Sequence, residues 1–236
     1  VNKKTIGLFR VLTVEDLDRT ARLLKKYSPQ DAYDILNEKL MEKAPGDVGR
    51  RKLVNNLMMI WGNGKKEPAN YQKKAMEVYN ELPKEEQLVL HYLLALIAFP
   101  FLTFEARLAG KYLGLMDTVS SKVFMDEVMN KYGNSGTITR SVSNGFGILR
   151  EFGFLKKEKA GRYSLGNQRI IVKSTLLKNY IVLAALLNTD SDTLSLEAVQ
   201  HDKMFFGLDF ILYSSDLDPN MFEVTSDRVH TYIKKR

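Results

Sequence analysis

Three histidines, two pairs of close-set aspartates and a glycine-flanked lysine pair are the residues here whose types could carry catalysis or bind a metal. Their spacing argues against both. His91, His201 and His230 lie far apart, and none has a carboxylate at metal-ligand spacing. His91 sits inside an apolar run and reads as a core residue. His201 beside Asp202 and His230 near Asp227 read as ordinary surface neighbours. Asp190 with Asp192, and Asp216 with Asp218, could chelate a divalent ion, but the remaining ligands of a calcium loop are missing. "GNGKK" at 62–66 lacks the first glycine and the Ser/Thr of a phosphate-binding loop, so it reads as a turn. "GFG" at 145–147 follows no strand and is no dinucleotide fingerprint. There is no Gly-x-Ser-x-Gly elbow. The absence of cysteine excludes disulfides, thiolate zinc sites and thiol nucleophiles, and fits a reducing, cytoplasmic compartment. The expectation is a protein without catalytic residues, metal or cofactor.

Groups suited to a polyanion are plentiful. The net charge is +7, and it is unevenly spread. Residues 1–65 carry 13 lysines and arginines against 8 acids, and residues 119–173 carry 10 against 4. Such clustering is the footprint expected of nucleic-acid binding, although a solubilising charge excess has the same sign. Within the second block, "GTITRSVSNGFGILRE" places Ile138, Val142, Phe146 and Leu149 on one helical stripe. Arg140, Ser143, Asn144 and Gly147 fall largely on the opposite side. Arginine and asparagine address base edges by paired hydrogen bonds, and short hydroxyls reach bases or phosphates. Lys156, Lys157, Lys159 and Arg162 follow within seven residues, opposed only by Glu158. They suit contacts to a phosphate backbone, and a merely solvated basic turn would look the same. Gly145 and Gly147 each cost about 1 kcal/mol in a helix relative to alanine, so a close approach must offset them. A second basic site, Arg50, Arg51 and Lys52, occupies a helical first turn, where the helix dipole disfavours cations. A phosphate would be held there, or the cations pair with acids such as Glu38 and Glu42.

The elements needed to position these groups are mostly helices. Thr13 and Ser28 read as N-caps, with Pro29 in the first turn of the second helix, which should run to Pro45-Gly46. Asp47 should cap the next helix, and Gly62-Asn63-Gly64 should end it. Pro68 opens a helix with Tyr71, Ala75, Val78 and Leu82 inward. Pro83 opens the apolar stretch 88–102, which is short of the roughly 20 residues of a membrane span. The N-terminal stretch turns acidic too soon for a secretory signal. From Phe101 the order becomes helix, helix (from Asp117), turn, helix and basic hairpin, which is the order of a winged helix-turn-helix. Residues 170–172 should extend its sheet. A helix from about Ser174, a helical "SLEAVQ", a "MFFGLDFILY" whose period fits either strand or buried helix, and a short strand with a final helix complete the chain. The expected fold is mainly α with a small β wing: a helical N-terminal bundle (1–100), a winged helix-turn-helix (101–173) and a short α+β extension (174–236) packed on the rest.

The chain also resembles the BrxA family, accessory proteins of BREX (bacteriophage exclusion) defence systems. The resemblance covers most of the chain and rests on order and spacing. The matching segments are "TIGLFR", "GRRKLVNNLMMIWG", "AFPFLTFEARLAG", "TRSVSNGFGILREFGFLKK" with "GRYSL", "MFFGLDF" and "FEVTSDRVHTYI". The aromatic-Gly pair that the family often carries as Trp-Gly is Phe152-Gly153 here. The resemblance implies a helical N-terminal region, a winged-helix portion, no known catalytic centre, and DNA binding through Arg140, Ser143, Asn144 and the wing lysines. The leading expectation is a double-stranded DNA-binding component of a phage-defence system. The alternatives are a scaffold docking another defence protein and a winged-helix transcriptional regulator. RNA binding by the helical half is a weaker reading, because Trp61, Tyr71 and Tyr79 are spaced like core residues.

Overall fold

The computed structural model describes residues 10–166 and 169–236. Most of the "TIGLFR" segment lies outside them. The first helices are set by their caps. α1 (Val14–Leu24) starts where Thr13 Oγ1 accepts from Asp16 N, and α2 (Pro29–Lys39) starts where Ser28 Oγ accepts from Asp31 N. α2 stops short of Pro45-Gly46, giving way to turns after Leu40. α3 (Asp47–Gly62) is preceded by Gly46 at the cap, not Asp47, and no side chain caps it. Asp47 lies inside the first turn, where its carboxylate binds Arg50. Asn63, at φ 54°, ends α3 in the left-handed conformation that asparagine tolerates.

In α4 (Asn70–Val78) the inward face is Gln72, Ala75 and Met76, continued by Tyr79, while Tyr71, Val78 and Leu82 are half-buried. The reason is polar. The last carbonyls of α3 have no intrahelical donors, and the Gln72 amide donates to Met59 O (3.1 Å) and Ile60 O (3.0 Å). The chain then tightens into a 3-10 turn, Tyr79–Glu81, which breaks the period before Leu82. α5 (Lys84–Ala98) and α6 (Pro100–Leu113) meet at a 115° bend, because Pro100 offers no N–H and disfavours a helical Phe99. Leu96 O, freed by the bend, accepts from Thr103 Oγ1 (2.9 Å) and Asn188 Nδ2 (3.1 Å). Among the described residues no single helix is long and apolar enough to cross a membrane, and only this bent pair meets the criteria of length and composition.

Next come β1 (Thr118–Ser120), α7 (Ser121–Tyr132), α8 (Gly136–Glu151), β2 (Leu155–Lys159) and β3 (Arg162–Leu165), with antiparallel strand order β1-β3-β2. Thr118–Ser120, expected to be helical, pairs with β3 instead, and Val119 is buried opposite Tyr163. β4 (Ile170–Ile171) does not extend that sheet. It pairs in parallel with β6 (Leu208–Asp209), after α9 (Thr175–Leu187), β5 (Thr193–Ser195) and α10 (Leu196–Gln200). The expected final helix is a strand: β7 (Phe222–Ser226) and β8 (Thr231–Lys235) form a hairpin, with β5 on the outer edge of β8. Asp227 closes the turn by accepting from Val229 N and His230 N at 2.7 Å each. Ile233, opposite Val224 and Leu194, is then buried. One apolar core runs from Leu12 to Ile233 through all three regions. The chain is thus mainly α with small β-sheets.

Candidate nucleic-acid interface

α8 begins at Ser135, whose hydroxyl accepts from Ile138 N. Ile138, Val142, Phe146 and Leu149 are buried as their spacing requires, joined by Ser141, Gly145 and Ile148. Phe146 packs on Phe124 of α7 (centroids 4.7 Å apart) and stacks on Tyr163 of β3 (4.4 Å, 21°). That sandwich fixes the hairpin to the helix. On the opposite side Arg140 and Ser143 are exposed, and Asn144 is half-buried with a contact of its own. Arg150, two turns beyond Ser143 and so on the same face, is exposed as well. Glu151 beside it is the one acid at that end of the helix.

Both unexplained glycines have partners distant in sequence. A Cβ at Gly145 would overlap the carboxylate of Glu105, which reaches across from α6. A Cβ at Gly147 would lie 2.6 Å from Val11 Cγ2, so that residue sits against the segment leading into α1. Glu105 is buried, and neither of its oxygens has a hydrogen-bond partner. Burial pushes its carboxyl well above the ordinary carboxylate range. Burial also raises the pKa of nearby Tyr132, and Glu105 adds to the effect.

The hairpin presents two faces. Leu155, Lys157, Tyr163 and Leu165 share the face toward α8, with Lys157 at the exposed edge. Lys156, Glu158, Ser164 and Arg162 share the outer face. There Lys156 Nζ lies 3.4 Å from Glu158, Ser164 Oγ donates to Glu158 Oε1 (2.6 Å), and Arg162 reaches Thr118 Oγ1 (3.4 Å). The Ser164 hydroxyl and then Lys156 lower the Glu158 pKa. A bulge between Lys157 and Lys159 turns the tip. All four cations are exposed, so Glu158 offsets one of them and leaves a net positive edge.

The other basic block divides. Arg50 is buried and serves the fold: Nε donates to Asn37 Oδ1, Nη1 to Ala44 O and Pro45 O (3.1 Å each), and Nη2 to Asp47. It is not available to a phosphate, and its partners are not Glu38 or Glu42. The dipole penalty at this helix end is offset because Arg50 stitches the α2–α3 connection. Arg51 and Lys52 point outward and are exposed. Arg10, which sequence reasoning passed over, lies with its guanidinium against Gly49 in the same turn.

Several of the other polar residues are engaged within the fold. Trp61 Nε1–H donates to His91 Nδ1 (3.0 Å), so the imidazole proton sits on Nε2 and faces Asp18 Oδ1 (3.0 Å). Burial lowers the His91 pKa against the pull of Asp18, and the His91 hydrogen bond brings Asp18 down to about 2. Asp216 pairs with Lys178 (2.8 Å), Asp218 with Lys74 (2.9 Å) and Asp202 with Arg107 (2.7 Å). Among the described residues no group of three or more metal-ligating side chains comes together. Trp61 and Tyr79 are core residues. No protein-family model, no curated protein and no solved structure matches the chain.

Proposed function

We propose that the chain is a non-enzymatic double-stranded DNA-binding component of a prokaryotic, cytoplasmic phage-defence system. In this reading α6, β1, α7, α8, β2 and β3 form a winged helix. α8 enters the major groove with Arg140 and Ser143 foremost, and the β2–β3 hairpin lies along the phosphate backbone. One observation carries the reading: the Phe146–Tyr163 stack holds the exposed face of α8 and four exposed hairpin cations on one rigid module. The element order and the strand order β1-β3-β2 support the winged helix, and the BrxA resemblance supports the defence role. Hairpin cations supply affinity and salt dependence, whereas α8 supplies any reading of bases.

Changing Lys156, Lys157, Lys159 and Arg162 together to alanine tests this. If each neutralises one phosphate, the slope of log K against log salt falls by about 3.6, and affinity at 0.15 M salt falls roughly a thousandfold. Unchanged affinity would refute the wing assignment. A docking scaffold is the second reading. It is favoured by a groove of about 690 Å3 at the α5–α6 bend, where Met59, Phe104, Tyr132 and Leu187 are partly exposed. Failure of the purified protein to shift a random duplex, with stable co-purification of another defence protein, would select it.

A further inference from the structure

A groove of about 580 Å3 runs between the segment before α1, the C-terminal half of α8 and the base of the hairpin. Its parts come from distant stretches of sequence. Val11 forms one bank and packs into the notch left by Gly147. Arg150, Lys156 and Lys157 form the other bank, and among the described residues Glu151 is the only acid lining it. Leu155 closes the floor. At Gly153 (φ 75°) the wall is bare backbone, and a Cβ built there would meet nothing within 4 Å. Arg150 forms no ion pair among the described residues, so its charge is not spent on the fold. Beyond the Val11 bank, the Arg10 guanidinium lies against Gly49, beside the exposed Arg51 and Lys52.

Cations on one bank, Val11 on the other, Leu155 below and bare backbone beside them match a chain that alternates charged phosphates with apolar sugar faces. We infer that this groove holds one phosphodiester strand of the bound duplex, clamped by Arg150 opposite Val11. The DNA track then continues from the wing over Arg10 to Arg51 and Lys52 of α3. This rests on the DNA-binding reading above and extends it to residues that reading does not use. It also gives Gly147 a purpose: the notch seats Val11 and forms the far bank.

The test is duplex binding by fluorescence anisotropy across a salt series, using the full chain. Arg150→Gln removes one phosphate contact, so the log–log slope should fall by about 0.9 and affinity at 0.15 M salt by about fivefold. Glu151→Gln removes the repulsive carboxylate and should tighten binding by about twofold or more. Arg10→Gln with Arg51→Gln and Lys52→Gln should lower the slope further. Inorganic phosphate at matched ionic strength should leave the affinity unchanged. Displacement by phosphate would assign the groove to the free ion and overturn the inference. Wild-type binding with no response to Arg150→Gln and Glu151→Gln would overturn it while leaving the wing reading intact. A wild-type chain that binds no duplex would overturn both.

Discussion

Substituting Gly145 by alanine should destabilise this protein, although alanine is the better helix former, and removing Glu105 should reverse the sign. Gly145 lies inside α8, where Gly→Ala gains about 1 kcal/mol of helix propensity. Opposing this, the new Cβ would overlap the carboxyl group of Glu105, which is buried. Overpacking of this kind costs about 1–3 kcal/mol, and overlap with the carboxyl head puts it at the upper end. The net expectation is a loss of about 2 kcal/mol, or about 4–8 °C in Tm at this chain length. In a Glu105→Ala background the obstacle is gone, and the same substitution should stabilise by up to about 1 kcal/mol. The coupling energy of the cycle is then about 3 kcal/mol, well above the deviation seen between independent sites. Urea unfolding of the four proteins measures it directly. Equal effects of Gly145→Ala in both backgrounds, or stabilisation in the wild type, would refute the contact and with it the explanation of this glycine.

Arg50→Ala should cost about 2–3 kcal/mol of stability, because it strips donors from Asn37, Ala44 O, Pro45 O and Asp47. It should leave the salt slope of DNA binding unchanged, which separates it from Arg51 and Lys52. His91 is held neutral by burial, so its folded-state pKa lies below its value of about 6.5 in the unfolded chain. The unfolded state then binds the extra proton first. Stability is full above pH 6.5 and falls as the pH drops, by at most about 1.4 kcal/mol per unit. His91→Gln should remove this fall, as urea titrations at pH 7.5 and 5.5 would show. Asp18, at about 2, contributes stability that is full above its unfolded value near 3.8 and is lost progressively as the pH falls from there to about 2.

The α8 stripe and the hairpin were legible because both depend on local periodicity and on a turn that tolerates Gly161 at φ 69°. The caps at Thr13 and Ser28 were legible for the same reason. What stayed hidden depends on distant partners. Nothing near Gly145 or Gly147 in the sequence points to Glu105 or Val11. Arg50 looked like a phosphate ligand because, besides Asp47, its acceptors are an asparagine and two backbone carbonyls, which charge counting does not register. Gln72 took the inward position of α4 to serve the end of α3, and the apolar pattern of Tyr71 and Val78 gave way. The last strand is not legible in the sequence because "DRVHTYIKKR" supports either period, and the Asp227 turn and pairing with β7 decide for the strand.

The central claim is that two faces of one module hold duplex DNA through its phosphates. The most direct measurement is the affinity of the unmodified protein for a random duplex between 50 and 200 mM salt. With the four hairpin cations engaged, the log–log slope should be about −3.6 or steeper, a loss of about 150-fold or more across that range. No binding, or an affinity indifferent to salt, would contradict the account.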